Sequence, residues 1–214
     1  MSNGILDIYF VIDFPQDENF IAVFRSSLQE TLAAMNQQNP DWSTRFHLLT
    51  CGKTPRLYLL EYGKPIPALT GEKKFYIGNA LQKLTKALEK NDAESTYCPI
   101  IIFGSPRFPD DDFVDDLYCM RHSKYYDEAV KIGFAFGEAH AYSLMKLLCK
   151  YDEAIVDTND LSLFSRLIKV KEKIREEQIP VAVDPPNHGE NVVLTGDIIY
   201  PSVDGDILGD DTGW

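Results

Sequence analysis

Residues Ile5–Ile12 read Ile-Leu-Asp-Ile-Tyr-Phe-Val-Ile and run into Asp13-Phe14-Pro15-Gln16-Asp17. The run is apolar on both faces of a strand except at Asp7. A strand that buries both faces belongs in the middle of a parallel sheet covered by helices on each side. That requirement constrains the rest of the chain. In such a sheet ligands collect just beyond the carboxyl ends of the strands, so the Asp13–Asp17 loop is the first place to look for function.

The segments that follow meet the requirement. Asp17-Glu18-Asn19 places acids where a helix amino terminus favours them. Phe20, Val23, Phe24, Ser27, Leu28, Thr31, Leu32 and Met35 then recur at spacings of three and four, the mark of a buried helical stripe. Arg45–Thr50 and Arg56–Glu61 are strand-like and flank Cys51-Gly52-Lys53-Thr54-Pro55, which predicts an antiparallel pair at a sheet edge. Two prolines exclude regular structure from Lys64–Leu69. Beyond them the pattern predicts a helix over Gly78–Lys90, a strand over Tyr97–Phe103 and a helix from Asp110 to about Tyr125. A strand over Ala129–Phe136, a helix over Ala139–Cys149, a short strand over Ala154–Val156 and a closing helix over Leu161–Glu177 complete it. The alternation defines an α/β class: a doubly wound, mostly parallel sheet flanked by helices, with one antiparallel edge strand.

This domain is expected to span residues 1–179. Past Pro180 the composition changes. Val192–Leu194 and Asp197–Tyr200 can pair as a small hairpin, and residues 180–214 end as an acidic, Gly-rich extension. Its final residue, Trp214, is an aromatic anchor of the kind found at binding hot spots, so the extension is expected to engage a partner.

Charge narrows the partners. The chain has 33 acidic and 21 basic side chains and a net charge of −12. Nucleic acid and anionic lipid both call for a basic surface, so neither is expected. Cys51, Cys98, Cys119 and Cys149 form no CxxC pair and stand at no zinc-ligand spacing to a histidine, which predicts reduced thiols and a cytoplasmic setting. Met1–Ile5 has neither the basic nor the apolar region of a secretory signal, and no run reaches the ~20 apolar residues of a membrane span.

Three motifs, in order, resemble the von Willebrand factor A domain over residues 5–178, and most nearly its bacterial tellurite-resistance-type branch. They are the strand ending at Asp13, the helix-opening stretch Phe75-Tyr76-Ile77-Gly78-Asn79-Ala80-Leu81, and the strand end Phe103-Gly104-Ser105. In that family the three loops build a metal-ion-dependent adhesion site. Asp-x-Ser-x-Ser, a threonine and the aspartate of Thr-Asp-Gly hold Mg²⁺, and a partner's carboxylate completes the coordination. Here Asp13 matches the first aspartate, but Pro15 and Asp17 stand at the serines, Phe75 at the threonine and Gly104 at the second aspartate. Mg²⁺ demands near-octahedral oxygen coordination, which a proline, a phenylalanine and a glycine side chain do not supply. The resemblance therefore implies the family frame with a degenerate metal site and no cofactor. Asp13 is expected to serve structurally, accepting hydrogen bonds from its own loop backbone.

No catalytic constellation emerges. Gly104-Ser105-Pro106 is not a nucleophile elbow, and Thr70–Lys74 lacks phosphate-loop spacing. Asp110, Asp111, Asp112, Asp115 and Asp116 are expected to cap and compensate the helix they open. The expected function is a non-enzymatic protein-interaction or adaptor module. Its docking surface would comprise Asp13, Pro15, Asp17, Phe75, Asn79, Gly104, Ser105 and Asp110, with Trp214 in the tail. By resemblance, the partner would be a protein kinase or phosphatase of a bacterial stress-response or defence system. Two alternatives stand beside it: a metal-dependent binder with a rearranged site from Asp13, Asp17 and one of Asp110–Asp112, and a hydrolase or nucleotide-binding enzyme on the same frame.

Overall fold

The computed structural model describes residues 4–37, 42–91, 98–136, 139–149 and 155–157. The expected closing helix over Leu161–Glu177, the hairpin over Val192–Tyr200, the boundary at 179/180 and Trp214 lie outside the described residues.

Six strands form one sheet in the order β3-β2-β1-β4-β5-β6. In chain order they are β1 (Gly4–Ile12), β2 (Trp42–Thr50), β3 (Arg56–Leu60), β4 (Ile100–Ser105), β5 (Val130–Ala135) and β6 (Ile155–Asp157). Every pairing is parallel except β2 with β3, which closes one edge as an antiparallel hairpin. The helices are α1 (Glu18–Gln37), α2 (Gly78–Asn91), α3 (Val114–Arg121), α4 (Lys124–Glu128) and α5 (Ala139–Cys149). Among the described residues no helix is long and apolar enough to cross a membrane.

The opening strand sits where its sequence requires, between β2 and β4. Ile8, Phe10 and Ile12 enter one core with Phe24, Leu28 and Leu32 of α1. Tyr9 and Val11 enter a second core on the other face with Leu81, Leu84 and Leu88 of α2 and Leu144, Met145 and Leu148 of α5. Asp7, the one acid on β1, is buried but not alone. Arg45 Nε donates to its Oδ1 at 2.8 Å and Arg45 Nη2 to its Oδ2 at 2.6 Å. His47 Nε2 lies 2.7 Å from Asp7 Oδ1, and its ring stacks on Tyr9 at 4.4 Å. The pairing follows from register, since Arg45 and His47 stand opposite Asp7 and Tyr9 on β2.

Several boundaries differ from the sequence expectation: β2 starts three residues earlier, at Trp42, other strand ends shift by a residue, and two larger differences have a physical cause. β4 is displaced to Ile100–Ser105, because Pro99 has no amide to give the ladder; only its carbonyl takes part, accepting from Val130 N at 3.0 Å. The strand continues through Gly104 and Ser105, whose carbonyls accept from Asp13 N and Phe136 N. The single helix expected from Asp110 is two. It begins only at Val114, and it breaks where Ser123, in an extended conformation, donates to Met120 O.

Candidate functional site

The loops beyond the carboxyl ends of β1, β2 and β4 and the segment that leads from β3 into α2 are stitched into one surface by backbone hydrogen bonds. Cys51 N donates to Ile12 O, Glu72 N to Phe14 O and Gly52 N to Tyr76 O, each at 2.9 Å. Pro15 and Glu72 form an isolated parallel bridge. Gly71 makes this approach possible: a Cβ there would stand 1.9 Å from Pro15 O. Gly52 holds φ +141°, a region that side chains rarely adopt, and packs under the Glu72 carboxylate.

Asp13 lies at the centre, 2 % exposed. Its side-chain partners come from the end of β4 and the loop after it, not from its own loop backbone as the sequence predicts. Arg107 Nε donates to Asp13 Oδ2 at 2.8 Å and Arg107 Nη2 to Asp13 Oδ1 at 3.0 Å. Ser105 Oγ donates to Oδ2 at 3.3 Å. The same guanidinium reaches the third loop, with Nη2 2.8 Å from Glu72 O and Nη1 2.6 Å from Lys73 O. Its carbon stands 5.9 Å from the centroid of the Phe75 ring. Burial pushes the Asp13 carboxyl above its ordinary pKa, while Arg107 and then Ser105 pull it down; burial prevails. Arg107 is itself raised, chiefly by its hydrogen bond to Asp13.

The other sequence candidates are placed as follows. Pro15 is half-buried at the bridge to Glu72. Asp17 Oδ1 caps α1, accepting from Asn19 N at 2.9 Å and Phe20 N at 3.1 Å. Phe75 is 1 % exposed, so its ring belongs to the core and only its backbone serves the loops. Gly104 is also interior: a Cβ there would meet Ile12 Cδ1 at 2.9 Å and Phe136 Cε2 at 3.2 Å. Ser105 is buried beneath Arg107, its hydroxyl 2.8 Å from Arg107 O. Asn79 is exposed and donates through Nδ2 to Lys53 O at 3.3 Å. Phe75, Gly104 and Ser105 thus shape the surface from below, because their side chains are out of a partner's reach.

The acidic cluster serves a different helix from the one it precedes. Asp110 and Phe75 exchange two bonds, Asp110 N to Phe75 O and Phe75 N to Asp110 Oδ2, both at 2.7 Å. Asp111 accepts from Ile77 N at 3.0 Å and Gly78 N at 2.8 Å, capping α2 from another loop. Asp116 Oδ1 accepts from Gln82 Nε2 at 2.7 Å. Only Asp112, weakly, and the first-turn Asp115 and Asp116 serve α3 itself. The carboxylates proposed for a rearranged metal site are therefore already engaged with amides or with Arg107. Among the described residues no group of three or more His, Cys, Asp or Glu side chains is placed to hold a metal ion.

Arg107 was not singled out from the sequence. A signal was present: it is the one basic residue in the run Pro106–Phe113, which otherwise holds prolines, phenylalanines and acids. The side chains exposed on this surface include Asp17, Lys73, Lys74, Asn79, Phe108, Asp110 and Asp112, of which Asp17 and Asp110 are also engaged by backbone amides. Phe108 is held out by an edge-on contact with Phe113, centroids 5.9 Å apart.

This sheet order, with three stitched loops at its carboxyl ends, is a von Willebrand factor A-like fold. The solved structures that resemble it include the ArnB paralog VWA2 from Sulfolobus acidocaldarius, with TM-score 0.52, 21 % identity, and coverage of 78 % of this chain and 45 % of that one. Proximal thread matrix protein 1 from the mussel byssus matches with TM-score 0.58 at 10 % identity, over 81 % of this chain and 48 % of that one. The pilus adhesin SpaC from Lactobacillus rhamnosus GG, in an open conformation, matches with TM-score 0.62 at 9 % identity, over 84 % of this chain and 31 % of that one. The chain thus aligns with less than half the length of each of these proteins. No protein-family model and no curated protein matches the sequence.

Proposed function

We propose that this domain is a non-enzymatic protein-interaction module whose partner docks on the loop surface formed by Asp13–Asp17, Lys73–Asn79 and Gly104–Asp112. The observation that carries this reading is the division of labour at the site. Asp13, Ser105, Arg107, Asp110 and Asp111 are spent on holding the loops together. Phe108, propped on Phe113 and 41 % exposed, stands among exposed charges as a ready anchor. A cross-bonded loop surface with an exposed aromatic suits recognition, whereas among the described residues no side chain at its centre is left poised to move a proton. The fold shared with a pilus adhesin supports the same reading by analogy.

The finer assignment rests on the tellurite-resistance-type resemblance: a cytoplasmic bacterial adaptor in a stress-response or defence system, with a protein kinase or phosphatase as partner. The test is affinity capture from the native host with the wild type and with a Phe108→Ala, Lys74→Glu variant. Both changes are at exposed positions and leave the melting temperature within about 2 °C of wild type, as surface substitutions do. The variant loses the captured kinase or phosphatase. Unchanged capture removes this face as the docking surface.

A further inference from the structure

We infer that Arg107 is the tethered cation of this site, standing where the family frame places a divalent metal, and that it is the residue that positions the three surrounding loops. The fit of a metal fails on this chain's own geometry. Both Asp13 oxygens face the guanidinium, at 2.8 and 3.0 Å. The position of the family threonine holds the Phe75 ring, which is buried, with the guanidinium carbon 5.9 Å from its centroid. The position of the second aspartate is Gly104, and the space its Cβ would take is filled by Ile12 and Phe136. Pro15 has no side-chain oxygen to offer.

The guanidinium does instead what a bound cation would do. It offsets part of the cost of burying the Asp13 charge and, from its own loop after β4, gathers oxygens of two other segments: the Asp13 carboxylate after β1 and the Glu72 and Lys73 carbonyls before α2. Its hydrogen bonds consume Nε–H, both Nη2–H and one Nη1–H, so among the described residues a single Nη1–H is left over. A planar fork already committed to Asp13 cannot also grip an incoming carboxylate in the two-pronged manner. Two consequences follow. The loops are held in their assembled arrangement at all metal concentrations, and the face does not work by capturing a partner's acid through a shared ion. This inference stands apart from the docking proposal and survives if no partner binds.

The experiment is thermal unfolding of the full chain as wild type, Arg107→Ala, Arg107→Lys and Asp13→Asn/Arg107→Ala. Each is measured in EDTA, Mg²⁺, Mn²⁺ and millimolar methylguanidinium, with hydrogen exchange on the folded proteins. The wild-type midpoint moves in none of these. Arg107→Ala falls by about 6–15 °C, the scale expected when one partner of a buried pair is removed from a chain of this size. Methylguanidinium restores part of that loss but does nothing for the double variant, which lacks the carboxylate. Arg107→Lys keeps the charge without the fork, so it folds if the alanine variant does not. It melts below wild type and exchanges the amides of Glu72, Phe75 and Asp110 faster, with the amides of β1 and β4 unchanged. A Mg²⁺- or Mn²⁺-dependent rise of the wild-type midpoint that Asp13→Asn abolishes overturns the inference. So does an Arg107→Lys protein with wild-type midpoint and exchange, or an Arg107→Ala protein that folds and ignores methylguanidinium.

Discussion

Asp13 is a carboxylate whose surroundings work against its charge. It is buried, and Arg107 and Ser105 offset only part of the cost of removing it from water, which leaves its native pKa above the 3.8 of a free side chain. A group whose native pKa is raised adds stability that is fully present below its unfolded pKa and is lost as pH rises through the native one. Asp13 therefore runs opposite to ordinary acid denaturation. Between neutral pH and about pH 4, the melting temperature of the wild type relative to Asp13→Asn should improve as pH falls, because the asparagine cannot take up the proton. Melting curves of the two proteins across that interval decide it, and a difference that is flat or moves the other way shows that Arg107 outweighs burial. The sequence made Asp13 visible as the centre of the site because a strand end points to it. It did not reveal Arg107. A metal ligand leaves a spacing pattern in a loop, whereas an arginine can reach a carboxylate from a residue 94 positions away, and only the juxtaposition of β1 and β4 makes that reach possible.

Elements were legible wherever a period was clear. The β1 core strand, the helix from Gly78, the hairpin at the edge and α5 stand where apolar spacing put them, and so does the stripe on α1 apart from Val23, which is exposed beside the buried Phe24 and Leu28. The misplaced boundaries depend on hydrogen bonds that apolar spacing does not report, to a neighbouring strand at β4 and within the turn itself between α3 and α4. Pro99 shortens β4 because of its neighbour β5, and the break between α3 and α4 occurs at Arg121-His122-Ser123, which contains neither glycine nor proline. The acids of residues 110–112 are the sharpest case. Proximity along the chain assigns them to α3, yet Asp111 caps α2. This cross-loop cap has a measurable signature. Asp17 caps an exposed helix start that water can serve in its absence, so Asp17→Ala should cost about 1 kcal/mol. Asp111→Ala strands the amides of two buried residues, Ile77 and Gly78, and should cost about 2–3 kcal/mol. Urea unfolding of the two variants gives the comparison. An Asp111 cost no larger than the Asp17 cost means that water reaches those amides.

On the scale of the molecule, the sheet separates two cores, and the stitched loops close the carboxyl end of the second one. Cys51 marks that junction. It lies in the second core directly beneath the loops, and burial pushes its thiol well above the ordinary value, with Asp13, Asp111 and Glu72 adding to the shift. Cys149 lies in the same core on α5, its thiol pushed up to about 12 by burial. Cys119 is exposed on α3, and Cys98 is half-buried with its thiol raised. Only the thiolate attacks an alkylating reagent, so the native protein should label fast at Cys119 and more slowly at Cys98. Cys51 and Cys149 should label only when the protein opens. Because Arg107 ties its own loop to the Asp13 loop and to the segment before α2, the loops should have no separate opening of their own, and the two core thiols should become reactive together at the rate of global unfolding. Mass spectrometry of timed labelling in low urea resolves the four sites. If Cys51 labels well ahead of Cys149, the loop cluster opens as an independent unit, and the guanidinium does not hold it as firmly as its hydrogen bonds require.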